Sequence, residues 1–464
     1  MATANDASDV RIGWASRDIT PPRPCPLHGQ FYTRVSEGAA DPLTLTALAL
    51  ESESSAQGGQ AILVSCDLVG VWAHVQARVR DEVRRRLKDF DADLLLMGAT
   101  HTHCGPTLVN KWYEPQPPPV MTTEESVAFF VGRAAGAVEE AWKKRAPGGV
   151  SWAYTHAVVG HNRRAVYRDG SARMYGKTRD PLFECFEGYE DHGLDLLCTW
   201  DAGGELSGVI VNLACPSQVS EHEMKFTADF WHETRGELRK RLGGGLFILP
   251  QCAPAGDQSP HLLVYKEVEA LMLQRRGLTT RQEIARRIAT AVEDVLPLAK
   301  ADIRRQVVLR HLAATLPLPS RRVTQEENAQ ARAEVARLEA DPQADVKIRY
   351  AMLERNRRVA QRFDQQGDSP VHPVEVHVAR LGDVAFATNP FECYLDFGLR
   401  IKANSPATQT FCVQLAAGYE GYLPTARAVR GGHYGAEIAS NNVGPEGGQM
   451  LVDRTLEMMK QLWA

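Results

Sequence analysis

Apolar residues recur with two different spacings along the first two hundred residues of the chain. Short apolar runs such as "LTLTALALES", "QAILVSCDLVGVW" and "ADLLLMGAT" predict strands, whereas residues 74–90 and 123–145 have the periodicity of amphipathic helices. Three later runs bounded by Gly, Asp or Pro also predict buried strands: "LDLLCTWDA", "LSGVIVNLAC" and "LFILPQC". This order predicts an α/β fold in which layered mixed β-sheets are flanked by helices.

Residues 322–366 have a different pattern. The segments "VTQEENAQARAEVARLEA" and "DVKIRYAMLERNRRVAQRFDQQ" both have helical periodicity, and "DPQA" separates them, so we expect a helical hairpin. It could be a lid, or a surface or oligomerisation element. Strand-like runs return at "PVEVHVARLGDVAFATN" and "QTFCVQLAA", and residues 444–461 predict a closing helix. We therefore expect one domain over residues 1–464, with the hairpin inserted in it.

Composition and charge exclude several classes of protein. The 464 residues include 53 basic and 57 acidic side chains, a net charge of −4, so nucleic-acid binding has no electrostatic footprint. No segment has the run of about 18 to 20 apolar residues that a bilayer span requires. The nine cysteines contain no CxxC pair, and the opening "MATANDASDV" does not resemble a secretory signal. These features predict a cytoplasmic protein with reduced thiols and no membrane insertion.

Polar residues whose side chains can act in catalysis or metal binding follow several of the apolar runs. His101 and His103 lie two residues apart after "LLLMGAT", and in an extended chain both imidazoles would face the same side. Other runs end at Cys215, at the turn that holds Ser259, at Glu392 and at Tyr422, the kind of loop on which α/β proteins build their sites. Taken singly, each has an ordinary explanation, such as core packing for a thiol or turn chemistry for a serine.

The order and spacing of these segments resemble the catalytic domain of the neutral/alkaline non-lysosomal ceramidases, zinc amidases that cleave the N-acyl bond of ceramide. The opening "RIGWASRDITPP", the strand "ILVSCDL" with Asp67, and "THTHCGP" are each similar to that family's motifs. The last of these implies that His101 binds zinc and that His103 serves acid–base or oxyanion chemistry.

Four further segments extend the resemblance to nearly the whole chain. "HNRRA" implies that Arg163 is the substrate-binding arginine, and "GDQSPH" gives Ser259 the role of the essential serine. "NPFE" makes Glu392 a zinc ligand. In "GYLPTARAVRGGHYGAE", Tyr422 and Tyr434 have the spacing of the family's zinc-binding tyrosine and its second active-site tyrosine. The resemblance thus implies one Zn²⁺ per chain.

The sequence departs from the family at the second zinc histidine. Cys215 in "NLACPSQ" occupies that position, and a thiolate can bind zinc. Alternatively, His222 or His232 could supply the missing ligand. The family's C-terminal immunoglobulin-like domain and a leader are also absent from this sequence, so we expect a soluble amide or ester as substrate rather than ceramide.

These observations predict a zinc-dependent hydrolase that cleaves an amide or ester bond of a small, soluble substrate. A metal-dependent lyase or a carbohydrate-active hydrolase on the same scaffold is the first alternative, and a non-catalytic binding protein is the second. Homo-oligomers are common among soluble enzymes of this size, so a homo-oligomer is compatible with this sequence.

Overall fold

Strands and helices alternate along the chain. The structure is a computed structural model that describes residues 7–52 and 59–464, so residues 1–6 of the opening stretch lie outside the described residues. Within these ranges the strands are β1 (Ser8–Asp18), β2 (Thr44–Ser52), β3 (Gln60–Cys66), β4 (Leu95–Ala99), β5 (Ala146–Pro147), β6 (Gly149–His156), β7 (His161–Asn162), β8 (Arg164–Tyr167), β9 (Ala172–Met174), β10 (Phe183–Phe186), β11 (Gly193–Trp200), β12 (Leu206–Leu213), β13 (Phe247–Cys252), β14 (Gln258–Ser259), β15 (Gln306–Val307), β16 (Leu309–Pro319), β17 (Val371–Leu381), β18 (Val384–Thr388), β19 (Glu392–Cys393), β20 (Gln409–Val413) and β21 (Tyr422–Leu423). The α-helices of the same ranges are α1 (Ala73–Arg86), α2 (Thr123–Lys143), α3 (Phe230–Leu242), α4 (Lys266–Arg276), α5 (Thr280–Ala301), α6 (Gln325–Ala340), α7 (Arg349–Gln365), α8 (Leu395–Asn404), α9 (Ala426–Gly431) and α10 (Pro445–Trp463).

Three larger mixed sheets organise these strands. The first has the order β15-β1-β2-β3-β4, with β5 also paired to β1. The second has the order β13-β12-β11-β6, and the third has the order β16-β17-β18-β20. Each of these sheets contains one parallel pair, which is β3 with β4, β12 with β13, and β18 with β20. The mixed α/β architecture that the sequence predicted is therefore confirmed.

The three sheets share an apolar core and carry helices on their outer faces. Buried residues of all three sheets, among them Leu48, Ile210 and Phe386, form one central cluster. The outer faces pack against α1 and α2 on the first sheet, α3 and α5 on the second, and α8 and α10 on the third. A strand covered on both sides needs apolar residues on both faces, which explains the continuous apolar run of β2.

The predicted helical hairpin consists of α6 and α7. Thr324 begins α6 with a capping box, because its side chain accepts from the Glu327 backbone while the Glu327 side chain accepts from the Thr324 backbone. Val323, Ala331, Val359 and Ile438 form the small apolar cluster beneath the hairpin. The hairpin is thus attached near the loop after α9 rather than packed into the central core.

Several elements were not predicted from the pattern, notably β1, β16 and the 22-residue helix α5. The closing helix expected at residues 444–461 is α10. Over the described ranges, no helix combines the length and the apolar character that crossing a membrane requires.

Candidate functional site

Six of the eight residues expected to form a site follow the carboxyl ends of the parallel strand pairs, and the exceptions are Arg163 and Tyr434. His101 and His103 follow β4, the Cys215 loop follows β12, and the turn that holds Ser259 follows β13. In the third sheet, Glu392 follows β18 and Tyr422 follows β20. The three sheets therefore deliver their loops to one place, where ligand sites of α/β proteins form.

His101 is held in an unusual backbone conformation. Its φ of 65° lies in the left-handed region, which is strained for a residue with a side chain. The preceding Thr100 donates to Asp67 at 3.3 Å, and Arg235 donates to both oxygens of that carboxylate at 2.7 and 3.0 Å. Because the Val69 carbonyl accepts from His101 Nδ1 at 2.7 Å, Nε2 is the nitrogen that faces the site.

His103 presents its Nε2 atom to the same place. Arg163 donates to Gln218 Oε1 at 3.2 Å, so Gln218 Nε2 donates to His103 Nε2 at 2.8 Å. The proton of the neutral imidazole is then on Nδ1, which lies 3.4 Å from a carboxylate oxygen of Glu221. Burial, together with the nearby charges of His101 and Arg34, lowers the pKa of His103 well below its usual value. His103 is therefore neutral at neutral pH.

Glu392 and Tyr422 are neighbours because β19 and β21 pair in parallel with these two residues in register. Tyr419 donates to Glu392 Oε1 at 2.8 Å, and Oε2 lies 3.4 Å from His101 Nε2. Burial alone would raise the pKa of Glu392, but His101 and Arg163 lower it, so the carboxyl group is ionised. The pKa of Tyr422 is raised by burial and by Glu392.

Arg163 is a buried cation at the centre of the site. Its guanidinium donates to the Gly256 carbonyl at 2.9 Å, to the Tyr422 hydroxyl at 3.3 Å and to the Tyr175 hydroxyl at 3.0 Å. Glu392 Oε2 lies 4.0 Å away. Burial acts to lower the pKa of Arg163, but Tyr175, Tyr422 and Glu392 raise it overall, so the charge is maintained.

Ser259 joins the site through Tyr175. The strand β14 pairs with β7, which places Ser259 opposite His161 and close to Arg163. The Ser259 hydroxyl accepts from Tyr175 at 3.2 Å and from the His261 backbone N–H at 3.1 Å. Since both bonds are accepted, the serine proton remains available for donation.

Tyr434 covers the site beside Tyr422, with the two ring centroids 5.3 Å apart. Its loop is held by Arg164, which donates to the carbonyls of Ala428, Gly432 and Tyr434. Consecutive residues of an extended segment face opposite sides, so Arg163 enters the site while Arg164 supports the tyrosine loop.

Cys215 lies apart from these contacts. Its side chain is buried in the apolar cluster that contains Phe230 and Trp231, and its thiol donates to the Pro216 carbonyl at 3.4 Å. No hydrogen bond or ion pair among the described residues joins this thiol to His101, Glu392 or Tyr422, and burial raises its pKa well above the usual value. Its role as a ligand stays a prediction.

The two alternative histidines also contact other partners. His222 is exposed and lies 3.3 Å from the Tyr32 hydroxyl. His232 is on α3, where its Nδ1 lies 3.9 Å from Asp41. Among the described residues, neither histidine has a hydrogen bond or an ion pair with His101 or Glu392.

Two electron-pair donors lie close together at His101, and this tests whether a metal ion fits. His101 Nε2 lies 3.4 Å from Glu392 Oε2, a separation that matches two ligand atoms of a tetrahedral ion with bonds of about 2.0–2.1 Å. In residues 7–52 and 59–464, no group of three or more His, Cys, Asp and Glu side chains is arranged to hold a metal. His101 and Glu392 therefore need Tyr422 or another donor to complete a ligand set.

Two pockets meet at the site and share Phe31, Tyr422 and Tyr434. The α5-side pocket, of about 680 Å³, contains His103, Arg163 and Gln218 and extends to α4 and α5. The α7-side pocket, of about 460 Å³, contains Glu392 and Tyr419 and extends to α7 of the hairpin. The two pockets therefore extend in different directions from the same three residues.

Several residues of the site were not predicted from the sequence. Gln218 and Glu221 follow Cys215 in the loop after β12, and Tyr175 comes from the turn after β9. Gln414 connects two loops, because its Oε1 accepts from the backbone of Ala255 and of Cys393, both at 2.9 Å. The only sequence signal for Gln218 was its position three residues after Cys215, in the loop that follows β12.

Comparison with solved structures identifies the fold. The protein matches neutral ceramidase from Pseudomonas aeruginosa with a TM-score of 0.69 and 16% identity, covering 98% of this chain and 75% of that chain. A ceramidase complexed with C2 matches with a TM-score of 0.68 and 15% identity, covering 98% of this chain and 76% of that one. Family models and curated protein sequences give no match. The chain thus has the neutral ceramidase fold, as its motifs predicted.

Proposed function

We propose that the protein is a metal-dependent hydrolase that cleaves an amide or ester bond of a small-molecule substrate. The observation that carries this proposal is the meeting of His101, Glu392, Tyr422 and Arg163 at the loops of three sheets. It is supported by the fold, which is that of proteins named ceramidase.

Zinc is the ion that this donor set favours. His101, Glu392 and Tyr422 would hold it, with Cys215 as the fourth ligand if its thiol turns out of the apolar cluster. When bound, the ion polarises a carbonyl group and lowers the pKa of a coordinated water to about 7.

His103 has the environment of a general base and acid. It is neutral, Gln218 orients its Nε2, and Glu221 faces the Nδ1 atom. When the attacking oxygen displaces the Gln218 N–H from the Nε2 lone pair, His103 can accept its proton and pass it to the leaving group, while Glu221 stabilises the imidazolium. Arg163 supplies a permanent positive charge for the oxyanion of the tetrahedral intermediate, and Tyr434 can donate to the same oxygen.

Ser259 has two candidate roles. As a nucleophile it would attack the carbonyl carbon and form an acyl-enzyme. Alternatively, its proton would orient the attacking water. In both cases Tyr175 and the His261 N–H fix the hydroxyl, which explains the complete burial of Ser259.

The α5-side pocket favours a polar substrate. Its walls include the charged side chains of Lys266, Glu269, Glu283 and Arg287. A long alkyl chain would gain little binding free energy from such walls. It would cover the charged side chains and remove them from water, which is unfavourable. We therefore propose a small polar amide rather than a ceramide.

Metal analysis combined with single-turnover chemistry tests the proposal. We expect about one zinc per chain in protein purified without added zinc or an affinity tag, and loss of both metal and activity in His101→Ala. Ser259→Ala should retain the metal but lose activity by about three orders of magnitude. Cleavage is followed by release of a carboxylate and an amine or alcohol.

The remaining outcomes separate the alternatives. If the Cys215→Ser variant retains zinc, then His101, Glu392 and Tyr422 hold the ion without the thiol. If the variant loses zinc, the Cys215 thiol is a ligand. A product with a new C=C bond would indicate a lyase. A protein that binds no divalent metal would contradict the hydrolase proposal.

A further inference from the structure

The α7-side pocket differs in character from the rest of the site. It begins at Glu392 and Tyr422, and α7 of the hairpin lines its far side. Aromatic side chains line the path between these ends: Phe31, Trp72, Trp112, Tyr419 and Tyr434. A substrate arm that leaves the reacting bond in this direction would pass between flat rings and end at α7.

Two cations at the outer part of this pocket have no partner. Arg358 lies over the Trp112 ring, with its guanidinium carbon 5.7 Å from the ring centroid. Neither Arg358 nor Lys111 has a hydrogen bond or an ion pair with any residue in the described part of the chain. The two side chains line the same pocket, so an excess of positive charge lies at its outer end.

The other charges of the pocket are already paired. Arg355 donates to Ser440 at 2.6 Å and also pairs with Glu437. Arg362 donates to the carbonyls of Ile438 and Asn441 at 3.1 and 2.9 Å.

The same holds for the acidic side chains. Glu354 pairs with Arg357 at 3.0 Å, and Glu420 contacts His372 at 2.7 Å. Since Glu392 at the inner end contacts Tyr419 and Arg163, the described residues of the pocket include no unpaired carboxylate that would neutralise Arg358 and Lys111.

We propose that this outer end binds an anionic group, a carboxylate or a phosphate, on the substrate of the reaction proposed above. Stacking on Trp112 leaves the edge of the Arg358 guanidinium free, and that planar edge matches the oxygens of either anion. The proposal rests on the proposed function and narrows its substrate class to anionic amides. The hairpin then selects the substrate through α7.

Matched pairs of chromogenic amides test this inference. Hexanoyl 4-nitroanilide and the mono-4-nitroanilide of adipic acid differ only in a terminal carboxylate on the acyl side. The N-acetyl derivatives of 4-nitroaniline and of 5-amino-2-nitrobenzoate place the carboxylate on the amine side. We expect kcat/KM to be about 10- to 100-fold higher for the anionic member of at least one pair, the usual effect of a hydrogen bond to a charged group.

Arg358→Ala should remove most of that preference, measured as the ratio of kcat/KM for the anionic member to kcat/KM for the neutral member of each pair. Arg337→Ala is the control, because Arg337 of the neighbouring helix α6 pairs with Glu334 and Asp345, and none of these three residues lines the pocket. It should retain the preference. Equal kcat/KM for both members of each pair, or an equal loss for both in Arg358→Ala, would overturn the proposal.

A binding measurement separates this inference from the hydrolase proposal. Adipate and inorganic phosphate are titrated into wild type and Arg358→Ala by calorimetry, which also distinguishes the carboxylate from the phosphate. Arg358-dependent binding without cleavage of any amide supports the anion site and contradicts the hydrolase. Cleavage without an anion preference, and no binding of either anion, contradicts the anion site alone.

Discussion

At the scale of single residues, Gln218 connects the two groups to which the mechanism assigns proton transfer and charge stabilisation. Its side-chain oxygen accepts from Arg163 and its nitrogen donates to His103. The amide thereby fixes the imidazole tautomer, and only an amide has both a donor and an acceptor at this length.

Gln218→Leu should therefore lower kcat by about 10- to 100-fold with little change in metal content. The physical reason is that His103 loses the bond that orients Nε2. The measurement is steady-state kinetics over a pH range, together with elemental analysis.

Gln218→Glu provides the matched comparison. The carboxylate keeps the size and still accepts from Arg163, but it cannot donate to an unprotonated His103 Nε2, so activity should also fall. Near-normal kcat in both variants would show that Gln218 does not position His103.

The residue scale also shows what sequence could and could not predict. His101, His103 and Arg163 were singled out because their motifs have a fixed order, and the structure places Glu392 Oε2 3.4 Å from His101 Nε2. Gln218 and Tyr175 were not recognised, because their side chains gain their roles from contacts between distant segments. Cys215 has the position of a family ligand, but its side chain belongs to the apolar cluster that also contains Phe230 and Trp231.

At the scale of elements, the same capping motif has different consequences in two helices. Thr122 begins α2, whose buried face packs into the main core, whereas Thr324 begins α6 of the hairpin, with only Ala331 and Leu338 buried. Loss of a threonine cap costs about 1 kcal/mol in either helix.

Thr324→Ala should accordingly raise hydrogen exchange in α6 and α7 by about fivefold, since the hairpin can open locally. Hydrogen exchange with mass spectrometry measures this directly. In the control, Thr122→Ala, the loss should instead appear as lower global stability. Equal protection of the hairpin in Thr324→Ala and wild type would mean that the hairpin opens only with the rest of the protein.

Element prediction succeeded where the periodicity was regular and failed where tertiary context decided the structure. The hairpin and α10 have clear helical periods, and β2, β3 and β12 have continuous apolar runs. The strand β16 alternates buried and exposed residues but contains Pro317 and Pro319, which obscure a strand signal. The helix α5 contains Pro297 near its end, although Thr279 and Gln282 form a capping box at its start.

At the scale of the whole molecule, a buried polar network joins the first sheet's outer helix to the third sheet. Arg80 of α1 donates to both carboxylate oxygens of Glu375 on β17, at 2.6 and 2.9 Å. His377 lies 2.7 Å from Glu375 and 2.9 Å from His311 of β16. Since α1 belongs to a different layer from β16 and β17, the contact between these layers depends on the protonation of Glu375, His377 and His311.

Acidification should therefore destabilise the protein in two steps. Burial and the neighbouring cations lower the pKa values of His311 and His377, so the unfolded chain binds protons first as the pH falls below about 6.5, and the free energy of unfolding should fall by about 2 to 4 kcal/mol between pH 7 and pH 5. Burial would raise the pKa of Glu375, but His377 and Arg80 lower it to about 2, so its contribution is present above pH 4.5 and is lost between about pH 4.5 and 2.

Urea unfolding of wild type and Glu375→Gln at a series of pH values tests this argument. The variant should lose about 3 kcal/mol at pH 7, because Arg80 keeps a buried charge without its carboxylate, while the loss caused by the histidines persists between pH 7 and pH 5. Below pH 4.5 the variant should lose stability less steeply than wild type. Glu184→Gln removes an exposed carboxylate of β10 and should leave both steps unchanged. If Glu375→Gln instead follows the wild-type curve at every pH, the link between the layers does not depend on this carboxylate.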